Sequence, residues 1–173
     1  MSVQVSYRKQ FVLSILLFLV LLSAIEIILR VYDYYDPNCR FIESSVYAEI
    51  SFDLKREICK DNDKLVWNNN PLYLIPDQHF KTININSNSF RGDELQKNPE
   101  YRIFTIGGST MFGVGSTSDS TTISGFLQKK ISGQLSEYNI EVINAGIPKA
   151  YSLTEINLIK NKLLSYNPDL LII

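Results

Sequence analysis

The chain has 173 residues, with 17 Lys and Arg against 18 Asp and Glu, for a net charge of −1. That balance, without a basic stripe, argues against nucleic acid as a partner. Two cysteines with no CxxC pairing, and a single histidine, argue against a structural zinc site, and no metal or organic cofactor is implied.

Taken in chain order, residues 1–10 carry Arg8 and Lys9 ahead of an apolar run over residues 11–29, broken only by two serines and Glu26. Roughly 20 such residues suffice to cross a bilayer, so a transmembrane helix is predicted over 11–30. By the positive-inside tendency residues 1–10 stay in the cytoplasm and the rest is exported. The expected location is the cell membrane, single-pass, with an extracytoplasmic C-terminal domain. A cleaved signal peptide is the competing reading. The run is longer than a usual signal core and no A-x-A site comes after it, so an uncleaved anchor is adopted.

Residues 31–81 read as a connector packed loosely on the α/β domain. Tyr32, Tyr34 and Tyr35 fall where an interfacial aromatic belt would lie, residues 44–59 have a weak helical pattern, and residues 68–71 form a turn. Cys39 and Cys59 both lie here; a disulfide or two free thiols fit the sequence equally well. His79 sits on a polar stretch and reads as a surface residue. Residues 82–86 alternate polar and apolar as a half-exposed strand does, with a turn at 86–88.

A regular α/β pattern then begins. Residues 103–106 read as a buried strand that stops at Gly107, Gly108 and Ser109. Residues 121–135 read as a helix whose core face is Ile123, Phe126, Leu127, Ile131 and Leu135, with Asp119 or Ser120 as its N-cap. Residues 141–144 form a second strand, 153–164 a second helix ended by Asn167-Pro168, and 170–173 a third buried strand. The order βαβαβ predicts a parallel sheet. In such sheets chemistry sits beyond the carboxyl end of a strand, the place Ser109 occupies, which makes it a nucleophile candidate. A capping or turn serine is the plain alternative. Gly107, Gly108, Gly113 and Gly115 also suggest a phosphate- or nucleotide-binding loop, although neither G-x-x-x-x-G-K-[ST] nor G-x-G-x-x-G is present.

Four segments resemble the first part of an SGNH (GDSL-type) hydrolase. Residues 86–92, NSNSFRG, are similar to an N-S-x-G-F-R-G segment with Ser89 at the glycine. Gly107-Gly108-Ser109-Thr110 resembles the first sequence block, with Gly108 in place of aspartate. Residues 142–146, VINAG, resemble the strand leading into the second block, and residues 168–173, PDLLII, the strand before the third. The resemblance covers residues 82–173. It implies a three-layer flavodoxin-like parallel sheet, incomplete at its C-terminus, behind the membrane helix. It also implies a serine esterase acting on acylated envelope glycans or lipids.

On this resemblance Ser109 is the nucleophile, and oxyanion or binding roles fall to Gly108, Asn144 and the backbone N–H of Lys149. Lys149 occupies the place of the second-block glycine, and Gly146 lies three residues too early for it. The third block, G-x-N-D, and the D-x-x-H segment carrying the base would lie beyond Ile173. The expectation is therefore a hydrolase fragment with little or no activity alone, or a non-catalytic envelope protein that keeps the fold.

Overall fold

The computed structural model describes residues 6–35 and 39–173. The chain divides into two compact units, Met1–Arg40 and Phe41–Ile173. In the first, helix α1 (Tyr7–Tyr35) runs for 29 residues with none buried, and is long and apolar enough to cross a membrane. The two serines and Glu26 within its apolar run are bonded inside the helix, as a lipid environment would require. The Ser14 and Ser23 hydroxyls donate to the carbonyls of Gln10 and Leu19 at 2.9 Å, and Glu26 pairs with Arg30 one turn on at 2.8 Å.

The second unit is mixed α/β. Helix α2 (Phe52–Lys64) starts at Ser51, whose hydroxyl accepts from the Leu54 amide. Next are two short antiparallel pairs, β1 (Trp67–Asn69) with β2 (Leu72–Leu74), and β3 (Gln78–His79) with β4 (Asn84–Ile85). Then come β5 (Tyr101–Thr105), the single turn α3 (Ser109–Phe112), α4 (Ile123–Gln134), β6 (Ile140–Asn144), α5 (Ser152–Asn161) and β7 (Leu170–Ile172). Strands β5, β6 and β7 form a parallel sheet in the order β6-β5-β7, with Phe104 opposite Ile143 on one side and Leu171 on the other. Arg91 bridges Ile85 to Asn144 and so carries the β4 end of the small hairpin onto β6.

Several expectations change. Part of the segment before residue 82 enters the core. Leu65 and Leu74 belong to the same core as Ile83, Ile85, Phe90, Phe104, Ile106, Phe112 and Ile143. The buried Asp61 of α2 accepts from both the Thr82 amide and hydroxyl at 2.7 Å. Of the two readings left open for the cysteines, the bonded one holds, for Cys39 and Cys59 are both disulfide-bonded. Helix α4 begins at Thr122, whose hydroxyl accepts from the Gly125 amide; Asp119 is used elsewhere.

The apolar face read for α4 is covered only in part, for Ile123, Phe126 and Leu135 are exposed and Leu127 and Ile131 are half-buried. The buried position is Ser124, hydrogen-bonded to the Thr105 hydroxyl at 2.6 Å, and Gln128 bonds both Val142 N–H and Ile140 C=O along β6. A polar seam thus covers a strand edge that would otherwise offer unpaired backbone groups. The third strand is half-buried: Leu170 is exposed, Leu171 and Ile172 are partly buried, and Leu171 packs against the core.

Candidate functional site

Hydrogen bonding beyond the end of β5 builds the site. The Ile106 amide donates to Ile172 C=O at 2.7 Å, and Gly107 C=O accepts from the Ile147 amide at 2.9 Å. The two glycines are thereby held at the carboxyl end of the sheet, against the loop that leaves β6. Gly108 caps α3 with φ −81°, and a side chain there would start 3.3 Å from Ala150 C=O. Ser109 is the first residue of α3 and is exposed. Among the described residues, nothing hydrogen-bonds its hydroxyl and its amide N–H donates to no group.

Of the residues the sequence singled out, Gly108, Ser109, Asn144 and Lys149 all come to this edge, but in different roles. Asn144 is buried, and its side chain accepts from the Gly146 amide at 3.0 Å and donates to Phe112 C=O at 3.2 Å. It braces α3 rather than facing solvent. Lys149 is exposed with φ +69°, the left-handed backbone that glycine takes most readily. Its ammonium lies 4.7 Å over the ring of Trp67, so the charge is turned onto the β1 hairpin. Gly146 has a packing reason: a Cβ there would lie 2.3 Å from Phe112 N and 2.7 Å from its Cα.

His79 does not serve this edge. Its ring hydrogen-bonds the Asn84 side chain across the β3–β4 pair. Among the described residues the Gly107, Gly108 and Ser109 amides donate to no group, whereas later parts of the glycine loop are used. Gly113 N–H donates to Ser109 C=O, and the Gly113 and Gly115 carbonyls accept from Arg91 and from the Tyr47 hydroxyl at 2.8 Å. Burial pushes the Tyr47 hydroxyl pKa up. Among the described residues no group of His, Cys, Asp and Glu is placed to hold a metal ion.

No family model matches the chain, and no curated protein sequence matches it.

Sequence reasoning missed a buried polar group behind α3. Arg91 is 4% exposed, and its Nη1 donates to Phe112 C=O at 3.0 Å and Gly113 C=O at 2.8 Å. Its Nε donates to Asp119 at 2.7 Å and its Nη2 to Thr82 C=O at 2.9 Å. Burial lowers the Arg91 pKa and the Asp119 carboxylate opposes that. Asp119 also accepts from the Asn84 amide. The only sequence signal was an arginine inside an otherwise uncharged segment, residues 86–92. An open groove of about 570 Å³ runs along β6, lined by Arg91, Glu94, Gln128 and Glu141 among others, and does not include Ser109.

Proposed function

We propose that residues 82–173 are the front part of an SGNH-type serine acyl hydrolase, a three-layer flavodoxin-like domain, held at the cell membrane by α1 with the domain outside the cytoplasm. The substrate class is an acylated envelope glycan or lipid, and Ser109 is the nucleophile. One observation carries the reading. The two positions at which the resembling segments have glycine, Ser89 and Lys149, are both left-handed here, at φ +63° and +69°. A side chain raises the energy of that backbone, so a chain with no use for the glycine conformation has little reason to hold it at both places.

The chemistry derives from the site. Attack by Ser109 on an ester carbonyl forms the C–O bond and moves charge onto the carbonyl oxygen. The free amide of Ser109, with that of Lys149 on the adjoining loop, is the donor pair such an oxyanion needs. The hydroxyl proton needs a base, and His79 is engaged with Asn84. Residues 1–173 alone are therefore expected to turn over little or no ester.

The test is labelling of the detergent-solubilised full chain with a fluorophosphonate, with and without added imidazole as a substitute base, and the site read by mass spectrometry. Slow labelling at Ser109 that imidazole accelerates about tenfold, and that Ser109→Ala abolishes, is the expected result. Labelling no faster than in Ser109→Ala would leave Ser109 a turn serine and make the non-catalytic envelope protein the better reading.

A further inference from the structure

A four-residue helix cannot hold itself. One turn gains few internal bonds for the backbone it fixes, and its last carbonyls have no partner within the helix. In α3 the internal bonds run from the Phe112 amide to Gly108 C=O and from the Gly113 and Val114 amides to Ser109 C=O. The carbonyls of Phe112 and Gly113, at the other end from Ser109, are taken by Arg91. The same guanidinium lies 4.8 Å over the Phe112 ring. Arg91 is itself immobilised by Asp119, by Thr82 C=O, and by its own amide, which donates to Asn144 C=O at 3.1 Å. Thr82 is in turn held by the buried Asp61 of α2.

From this geometry we propose that Arg91 is a positioning residue for Ser109: it clamps the carboxyl end of α3 so that the amino end presents the serine at one fixed place beside the β6 exit loop. The proposal rests on Ser109 being the nucleophile for its functional meaning, though not for the clamp itself. Arg91 touches neither Ser109 nor a substrate, and acts through two backbone carbonyls. A planar fork is required, because one group must reach Phe112, Gly113, Asp119 and Thr82 together. A lysine keeps the charge but is a point donor that cannot span them.

The experiment compares wild type with Arg91→Lys as full chains in detergent micelles, by hydrogen–deuterium exchange and by imidazole-assisted fluorophosphonate labelling. In Arg91→Lys, exchange in peptides covering residues 107–115 should rise at least tenfold while residues 101–105 and 140–144 keep the wild-type rate. The labelling rate at saturating probe should fall about tenfold with the half-saturating concentration unchanged, a split that general destabilisation would not produce. Asp119→Asn, which leaves the guanidinium in place and weakens one anchor, should raise exchange in the same peptides by a smaller factor. It decides the matter if Arg91→Lys does not fold. Unchanged exchange over 107–115 in a folded variant, or a uniform rise across β5 and β6, overturns the clamp. Wild type that fails to label while the exchange result holds removes the hydrolase reading and leaves the clamp standing.

Discussion

Ser89 and Lys149 keep side chains on left-handed backbone, and the energetics of the two positions differ. At Ser89 the strain of about 1–2 kcal/mol would be relieved by glycine, against about 0.5–1 kcal/mol of added chain entropy in the unfolded state. Ser89→Gly should therefore stabilise by about 0.5–1 kcal/mol, seen as a rise of about 2–4 °C in thermal unfolding of the full chain. Lys149 also rests on Trp67, an exposed cation–π contact of about 0.5–1 kcal/mol. Lys149→Gly should come out near neutral. A fall in unfolding temperature for Ser89→Gly would contradict the left-handed assignment. Neither conformation is visible in residue type, because serine and lysine seldom adopt it; only the segment pattern around them pointed there.

At the scale of elements, the contact between α3 and the β6 exit loop depends on one missing methyl group. A Cβ on Gly146 would meet Phe112 N, Phe112 Cα and Met111 C, all backbone, at 2.3–2.8 Å, so the whole turn would have to move. Gly146→Ala should cost about 3 kcal/mol, the upper end of overpacking penalties, and loosen residues 107–115 in hydrogen exchange. Gly133 is the internal control. It lies within α4 with nothing within 4 Å of an added Cβ, and Gly133→Ala should stabilise by about 0.5–1 kcal/mol through helix propensity. Urea midpoints of the pair, moving in opposite directions, would check both. The spacing of apolar residues located α4 and part of its covered face, yet it missed Ser124, the buried position. Periodicity reports that a helix has an apolar stripe, whereas Ser124 and Gln128 face inward because they alone can bond Thr105 and the β6 backbone.

For the molecule as a whole, Lys162 joins three separate segments. It caps α5, with its ammonium 5.2 Å over the Tyr73 ring of β2 and 4.5 Å over the Phe90 ring. Burial lowers its pKa to about 8, against about 10.4 in an unfolded chain. Below pH 8 both states carry the proton and the penalty is constant. Between about pH 8 and 10.4 the unfolded state binds more protons, so stability should rise with pH across that window. Tyr166, which meets Phe90 edge to face, is shifted upward by burial. It titrates first in the unfolded chain and works against stability above about pH 10. Lys162→Met keeps the aliphatic stem, should unfold at higher urea at pH 7, and should lack the rise from pH 8 to 10. A wild-type midpoint that does not change over that range would show the ammonium to be well solvated.

The sequence by itself determined the apolar N-terminal helix, the positions of β5, β6 and β7 and their parallel βαβαβ order, though not β1, β2 and β3, because local apolar period and glycine, serine and proline punctuation act over a few residues. It also determined that Ser109 comes directly after a strand. Tertiary structure alone decided that Leu65 and Leu74 enter the core, that Asp119 pairs with Arg91 instead of capping α4, and that Asn144 braces Phe112. Each joins residues far apart in the chain, and such partners are chosen by burial and by the need to satisfy buried polar groups once the chain is compact. No short-range pattern records that choice.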